Sequence, residues 1–558
     1  MPTVRAALWR ALPVILLLAL YWPGVTTWFY QDDFGWLNLR HDVHGTHDLA
    51  AALFAPKAHG NMRPLGENAY WLGISTVFGA DPLPFHIAAF LTQAASLLLL
   101  GAIVRRLTAS DLSAAIAQVV WIANIGLAPA LGWSSIYNQI LSAFFFLLAF
   151  YFLLRRQLTA QWIAFLLGLG ALEINVVYPA IAAAYALLYD RPLFKKTLPM
   201  FAVSALAVFA HFHFAPPPAA GVYAPRVDAR IFDTIWTYWR WSLGPMPLAL
   251  VILLTAAALL IAARQRLALL ALAWFALPLL PYLPLPDHKM DYYLAVPAIG
   301  IALLAAAGFQ HARIPASVCI LLYLGASLPA SYTITRWQHA RGERVEDLVL
   351  GVQEIHQSAP DKIILLDGID TDLFWSGVAD LPFRALSIPR VYLSPAPATR
   401  IDAAPELLSK YTLPIALARN AVLYRFDGRQ LHRSALPNFP QDEPRFVNLA
   451  DDTFRDYIGA GWQLAPGGYR TMSGAATVRI AAPRTAADVL YIGVFETRDV
   501  HLAARANGIE LPLTLAHRDN DLSEFRATLP PAALAWKQME ITLTGPRVPL
   551  TFGYLEVR

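Results

Sequence analysis

At 558 residues, with 57% hydrophobic residues, 15% charged and a mean hydropathy of +0.45, the chain is too apolar for a soluble protein of its length and reads as a polytopic membrane protein. The net charge of +4 sits in short Arg/Lys clusters between apolar runs, a pattern of membrane orientation that sets nucleic acid aside as a partner. One cysteine, Cys319, rules out an intrachain disulfide and any Cys-based metal site.

A bilayer core of about 30 Å takes roughly 20 apolar residues of helix, with about 17 as a minimum. By that measure spans are expected at 12–29, 84–104, 112–131, 136–154, 198–214, 246–263, 267–285, 292–309 and 314–332. The first of these follows Arg5 and Arg10 like a signal peptide, but it continues to Phe29 with no small-residue cleavage site and is read as a retained span. The stretch 160–189 is too long for one span and short for two, with Glu173 and Asn175 at its middle. Positive loops lie on both sides of it, at Arg155 and Arg156 and again at Arg191, Lys195 and Lys196, so an even number of crossings is required between them. It is therefore expected to be a hairpin of two short helices turning near Glu173, which makes eleven spans with a cytoplasmic N-terminus.

On that topology Asp32, Asp33, Glu173, the loops 215–244 and 287–291, and everything after the last span share the outer side. The first outer loop, 30–83, has Trp36, Leu37 and Leu39, then Leu49, Leu53 and Phe54, at near-helical spacing, so one or two short helices along the membrane surface are expected. In the third, Arg226, Arg230 and Arg240 alternate with Ile231, Phe232, Ile235, Trp236, Trp239 and Trp241, the pattern of an interfacial helix. After Trp337 the composition turns soluble. Apolar residues at helical spacing (Val345, Leu348, Val349, Val352, Ile355), strand runs at 362–366 and 390–393, and a hairpin through Asp427 and Gly428 predict a small α/β domain. From Asn448 the pattern is all strand, with a two-residue hairpin signal at Asn507 and Gly508, and predicts a β-sandwich. The expected division is a transmembrane domain over 1–336, an α/β domain over 337–445 and a sandwich over 446–558.

Asp32 and Asp33 are the sharpest chemical signal. Carboxylates at a span end must be hydrated, paired or functional, because neighbouring hydrocarbon penalises charge. One could serve as general base, taking the proton of an acceptor hydroxyl that attacks an anomeric carbon; on spacing alone a solvated loop entrance explains the pair equally well. Glu173 at its turn would need a partner such as Arg63 or Lys289 if buried. Arg63, His288 and Lys289 are the outer-face cations nearest the spans, and a lipid-phosphate leaving group needs such donors; Lys289 serves equally as an interfacial anchor. His211 and His213, two apart, lie on different helix faces, so no metal site is expected. No Walker loop, dinucleotide fingerprint, zinc spacing or nucleophile elbow is present.

Several segments in order resemble a known family: Gln31 to Phe34 after the first span, Arg63-Pro64-Leu65, Phe78-Gly79-Ala80-Asp81-Pro82 with Phe85 and His86 opening the second span, Glu173 with Pro179, and Tyr293, Leu294, Pro297 and Gly300 in the tenth. This order is similar to the GT-C superfamily of polyprenyl-phosphate-sugar-dependent glycosyltransferases, over about 12–332, and within it to the bacterial relatives of the transmembrane O-mannosyltransferases. The resemblance implies a first-loop aspartate as catalytic base, which makes Asp32 and Asp33 both candidates; family position separates them little, and Asp33 is read as base with Asp32 orienting the acceptor or a neighbouring side chain. It implies Arg63, Glu173, His288, Lys289 and Tyr293 as residues that hold the donor phosphate or support the site. Leu172 and Tyr292 stand where the family has Lys and Arg, and no tetratricopeptide repeats follow. The implied function is inverting transfer of a hexose of the mannose class from a polyprenyl-phosphate donor to a protein, lipid or polysaccharide acceptor, on the periplasmic face of a bacterial inner membrane. No metal or nucleotide cofactor is implied, because the carrier phosphate is the leaving group. A lipid-linked sugar flippase and a non-catalytic glycan-binding membrane protein are the alternatives. The nearly charge-free spans and one-sided acidic groups weigh against alternating access.

Overall fold

The computed structural model describes residues 2–55, 62–214, 216, 222–244, 248, 252, 265–413, 420–436, 443–465, 469–496, 500–518, 522–546 and 548–558. The chain divides into two compact units, Met1–Glu346 and Asp347–Arg558.

The first unit is helical. Its longer helices are α1 (Pro2–Val25), α5 (Leu83–Thr108), α6 (Asp111–Ile122), α8 (Tyr137–Leu154), α9 (Leu158–Ala171), α10 (Tyr178–Tyr189) and α11 (Arg191–Phe214). They are followed by α12 (Arg230–Leu243), α13 (Arg266–Leu279), α14 (Ala298–His311) and α15 (Arg313–Ser358). Among the described residues, four segments are long and apolar enough to cross a membrane: Leu83–Thr108, Ser134–Leu154, Arg191–Phe214 and Arg313–Ser358. Six shorter apolar helical stretches, Ala11–Val25, Asp111–Ile122, Leu158–Ala171, Glu173–Tyr189, Arg266–Tyr282 and Ala298–His311, fall where other spans are expected. The expected span 246–263 lies almost wholly outside the described residues.

Helix ends follow local chemistry. The Ser110 hydroxyl accepts from the Ser113 amide at 3.1 Å and starts α6, while Ala109 in the left-handed region ends α5. The expected 112–131 span is broken after Ile122. Asn124 turns its side chain inward, donating to the Ser242 carbonyl and the Tyr323 hydroxyl (both 3.2 Å) and accepting from the Gly126 amide (3.0 Å). A short helix, α7 (Leu127–Gly132), resumes beyond it. The run 314–332 does not stop either: α15 continues for 46 residues through the amphipathic stretch expected to be a separate helix, and the division between units falls inside it at Glu346. The first outer loop is more helical than expected, with α2 (Asp33–Asn38), α3 (Thr46–Phe54) and a π-helical turn, Pro64–Ala69, running into α4 (Tyr70–Phe78).

In the second unit, β1 (Ile363–Asp367) pairs in parallel with β2 (Val391–Leu393) and β3 (Ala421–Phe426), and β3 turns at Gly428, φ +109°, into antiparallel β4 (Leu431–Ser434). Beyond it two antiparallel sheets enclose one apolar core that includes Val478, Ile480, Leu490, Ile492, Ile541, Phe552 and Leu555. The Asn507-Gly508 signal is the turn between Ala503–Ala506 and Ile509–Leu511, both residues having positive φ (46° and 84°).

Candidate active site

The chain leaves α1 at Val25 and turns sharply at Gln31, a non-glycine residue at φ +59°, so that Asp32 stands at the N-cap position, its side chain making no capping hydrogen bond, and Asp33 opens α2. Adjacent helical residues point about 100° apart, and the two carboxylates accordingly enter different surroundings. Asp33 is 1% exposed; its Oδ2 accepts from the Tyr30 amide at 3.1 Å and its Oδ1 from the Ser135 hydroxyl at 2.5 Å. Burial pushes its carboxyl up to about 8, against the opposing pull of those two hydrogen bonds. Asp32 is exposed, and the protein crowded around it raises its carboxyl above the ordinary value. The turn is braced by α15, whose Arg341 donates from Nη1 to Gln31 Oε1 (3.0 Å) and lies 5.6 Å over the Tyr30 ring, itself stacked on Trp133 at 5.7 Å.

A second cluster forms around Arg63. Gly66 packs so closely on α9 that a Cβ there would meet the Ala171 carbonyl oxygen at 2.1 Å, and this approach brings the π-helical turn against the residues that follow Ala171. Arg63 Nε donates to both Glu173 oxygens (2.9 and 2.8 Å), Arg63 Nη1 bonds Glu67 Oε1, and Asn138 Nδ2 donates to the same Glu67 oxygen at 2.6 Å. Burial would lower the guanidinium, yet Glu173 and Glu67 outweigh it and hold Arg63 above its usual value. Glu67, 3% exposed, is raised by burial against the pull of Arg63. One cation thus faces two carboxylates.

Between the clusters stands a wall of tyrosines. Tyr293 stacks on Tyr282 at 3.9 Å and meets Tyr292 edge-on at 4.9 Å; buried His288 lies 4.2 Å from Tyr223 and 6.0 Å from Tyr293. The Tyr223 hydroxyl feels the charges of both Asp32 and Arg63; Tyr292 feels Asp32, and Tyr293 feels Arg63 and Glu173. The structure therefore pairs Arg63 with Glu173 and sets His288 against Tyr223 and Tyr293, with Asp32 and Arg63 both felt by Tyr223; this neighbourhood, with Asp33 buried beside Asp32, is the mouth of the candidate site. Lys289 is turned to α12, where its Nζ is 2.5 Å from Asp233 Oδ2. Sequence reasoning missed Glu67, Ser135, Tyr223, Arg341 and Asp291, whose carboxyl burial pushes up to about 6 at the start of the short helix Asp291–Leu294. The four-residue spacing from Arg63 to Glu67 was a usable signal; nothing local to Ser135 or Arg341 marks them.

No protein-family model and no curated protein matches the sequence. Among solved structures, ArnT from Cupriavidus metallidurans bound to undecaprenyl phosphate is similar over 94% of this chain and 98% of its own, at 11% identity and a TM-score of 0.45. The arabinofuranosyltransferase AftD from Mycobacteria is similar over 98% of this chain and 62% of its own, at 12% identity and a TM-score of 0.40. At these levels neither likeness carries an inference about what this chain does.

Proposed function

We propose that the chain is an inverting glycosyltransferase of the GT-C type that moves a sugar from a polyprenyl-phosphate carrier to a hydroxyl acceptor at the outer face of a bacterial inner membrane. The carrying observation is the split between Asp32 and Asp33. An exposed carboxyl with a raised pKa lies where Tyr223 and Tyr292 feel its charge, and its neighbour is buried and hydrogen-bonded. Asp32 is the base in this scheme and Asp33 its support, the reverse of the roles drawn from sequence. Burial pushes the Asp33 carboxyl up to about 8, so at neutral pH it adds no second negative charge beside Asp32, which is left as the proton acceptor.

The acceptor oxygen attacks the anomeric carbon as Asp32 takes its proton. The bond from that carbon to the carrier phosphate breaks on the opposite face, and the polyprenyl phosphate leaves with the electron pair. Arg63 is already engaged by two glutamates, so it frames the mouth and is not a free phosphate clamp. The ordered family-like segments support the donor class and a hexose of the mannose class. The charge pattern supports eleven spans, a cytoplasmic N-terminus and periplasmic C-terminal parts, with the sandwich over 446–558 as a carbohydrate-binding domain. Incubating purified full-length protein with polyprenyl-phosphate hexoses tests this. Donor consumption with inverted anomeric configuration in the product is expected for wild type. The assignment fails if Asp32→Asn consumes donor at the wild-type rate.

A further inference from the structure

The segment from Val222 through α12 is fastened to the 283–291 loop at several points. The Arg226 amide donates to the Pro284 carbonyl at 2.7 Å, and the Met290 amide to the Tyr238 hydroxyl at 3.4 Å. Arg226 and Arg230 lie 3.7 and 3.5 Å from Asp287, and Lys289 pairs with Asp233 at 2.5 Å. Tyr223 has its ring tilted against His288 at 4.2 Å, the residue remains 41% exposed, and its hydroxyl feels the charges of Asp32 and Arg63. A tyrosine needed only for packing would be indifferent to where its hydroxyl lies. Here the fastenings and the His288 contact together hold the ring in a place where its hydroxyl feels both the exposed aspartate and Arg63.

We propose that Tyr223 is a substrate-contact residue, whose hydroxyl donates to an oxygen of the sugar phosphate of the lipid-linked donor, and that the strap 222–243 exists to hold it over the mouth. The proposal rests on the transferase reading for the identity of the ligand. A phenol is suited to the task, since its rigid ring can lie along a sugar face while its O–H, uncharged at neutral pH, donates to phosphate without neutralising Asp32. The same strap carries its own control, because Val227 is 86% exposed and nothing places it at the mouth.

In a Cys319→Ser background, Tyr223→Cys and Val227→Cys are labelled with a maleimide in the full-length protein, with and without polyprenyl phosphate. Labelling at 223 should slow at least about tenfold at saturating polyprenyl phosphate, and at 227 less than twofold. In parallel, Tyr223→Phe, which keeps the ring and its His288 contact, should raise the donor KM about 10-fold, the worth of one hydrogen bond to a charged group, and leave kcat within about threefold. Equal protection at both positions, or an unchanged KM in Tyr223→Phe, overturns the contact. If wild type consumes donor while 223 stays unprotected, this proposal alone fails. If 223 is protected but no lipid-linked sugar is consumed, the contact stands and the transferase reading fails.

Discussion

At the Gln31–Phe34 turn two neighbouring carboxylates are separated by their surroundings, whereas around Arg63 two carboxylates distant in sequence are drawn onto one guanidinium. In the first place Asp33 is sealed under Tyr30 and Ser135 and Asp32 is left at the mouth. In the second, Glu67 and Glu173 share Arg63, with Asn138 completing Glu67. Both clusters carry more carboxyls than cations, yet among the described residues only the turn leaves a carboxylate, Asp32, without a side-chain donor in view of the solvent. Neutralised charge holds elements together, and charge left open is available for chemistry.

The strongest test of that contrast is Asp32→Asn. Losing a general base costs about 10²–10⁴ in rate, with the fold intact because Asp32 is exposed. Donor turnover and thermal denaturation measured together should show a large fall in kcat at an unchanged Tm. Rates within threefold of wild type would erase the distinction between the clusters.

Arg63→Met attacks the other side. It strands Glu67, 4% exposed at its side chain, and Glu173, 30% exposed, so stability should fall by about 3 kcal/mol, the low end for a broken buried pair because Glu173 can reach water. Adding Glu173→Gln should recover part of the lost Tm. A variant that keeps its Tm and loses donor affinity would move Arg63 from frame to ligand site.

Asp33→Asn sharpens the comparison through pH. Unfolded aspartate gives up its proton near pH 4, while folded Asp33 keeps its own until about 8. Between those values the native state binds more protons than the unfolded state, so this residue's contribution to stability is full below about pH 4 and is lost as pH rises through about 8. Asparagine imitates the protonated form, accepting from the Tyr30 amide and donating to the Ser135 hydroxyl, and does not titrate. The variant's stability should therefore gain on wild type as pH is raised from 5 to 9, read by denaturation at each pH, with a smaller loss of turnover than Asp32→Asn. A wild-type stability independent of pH in that window would show Asp33 to be ionised.

Much of this was legible in the sequence, and the remainder fails for definable reasons. Apolar run length located helices at 84–104, 136–154 and 198–214 because hydrocarbon burial acts over whole turns. It missed the break at Asn124, whose cause is a tertiary set of partners at Ser242 and Tyr323. Charge and spacing singled out Asp32, Asp33, Arg63 and Glu173, of which the structure pairs Arg63 with Glu173. They could not say which aspartate is buried, since that depends on Gln31 adopting a left-handed turn and on Ser135 arriving from 102 residues away. Arg341 was invisible because α15 reaches the turn only by running on past its apolar part.

The smallest expected effect belongs to Lys289, which sequence position nominated for the donor phosphate. Its ammonium is held by Asp233, a carboxylate 63% exposed, and an ion pair in such a setting is worth about 0.2–1 kcal/mol and weakens with salt. Lys289→Met should lower stability within that range and, with the strap still fastened at Arg226 and Arg230, raise the donor KM by less than about fivefold. A KM rise above tenfold at unchanged Tm would show that Lys289 leaves Asp233 for the phosphate when donor binds. The mouth would then own a mobile cation, and an ion pair that resembles the neutralised Arg63 cluster would prove to belong with Asp32.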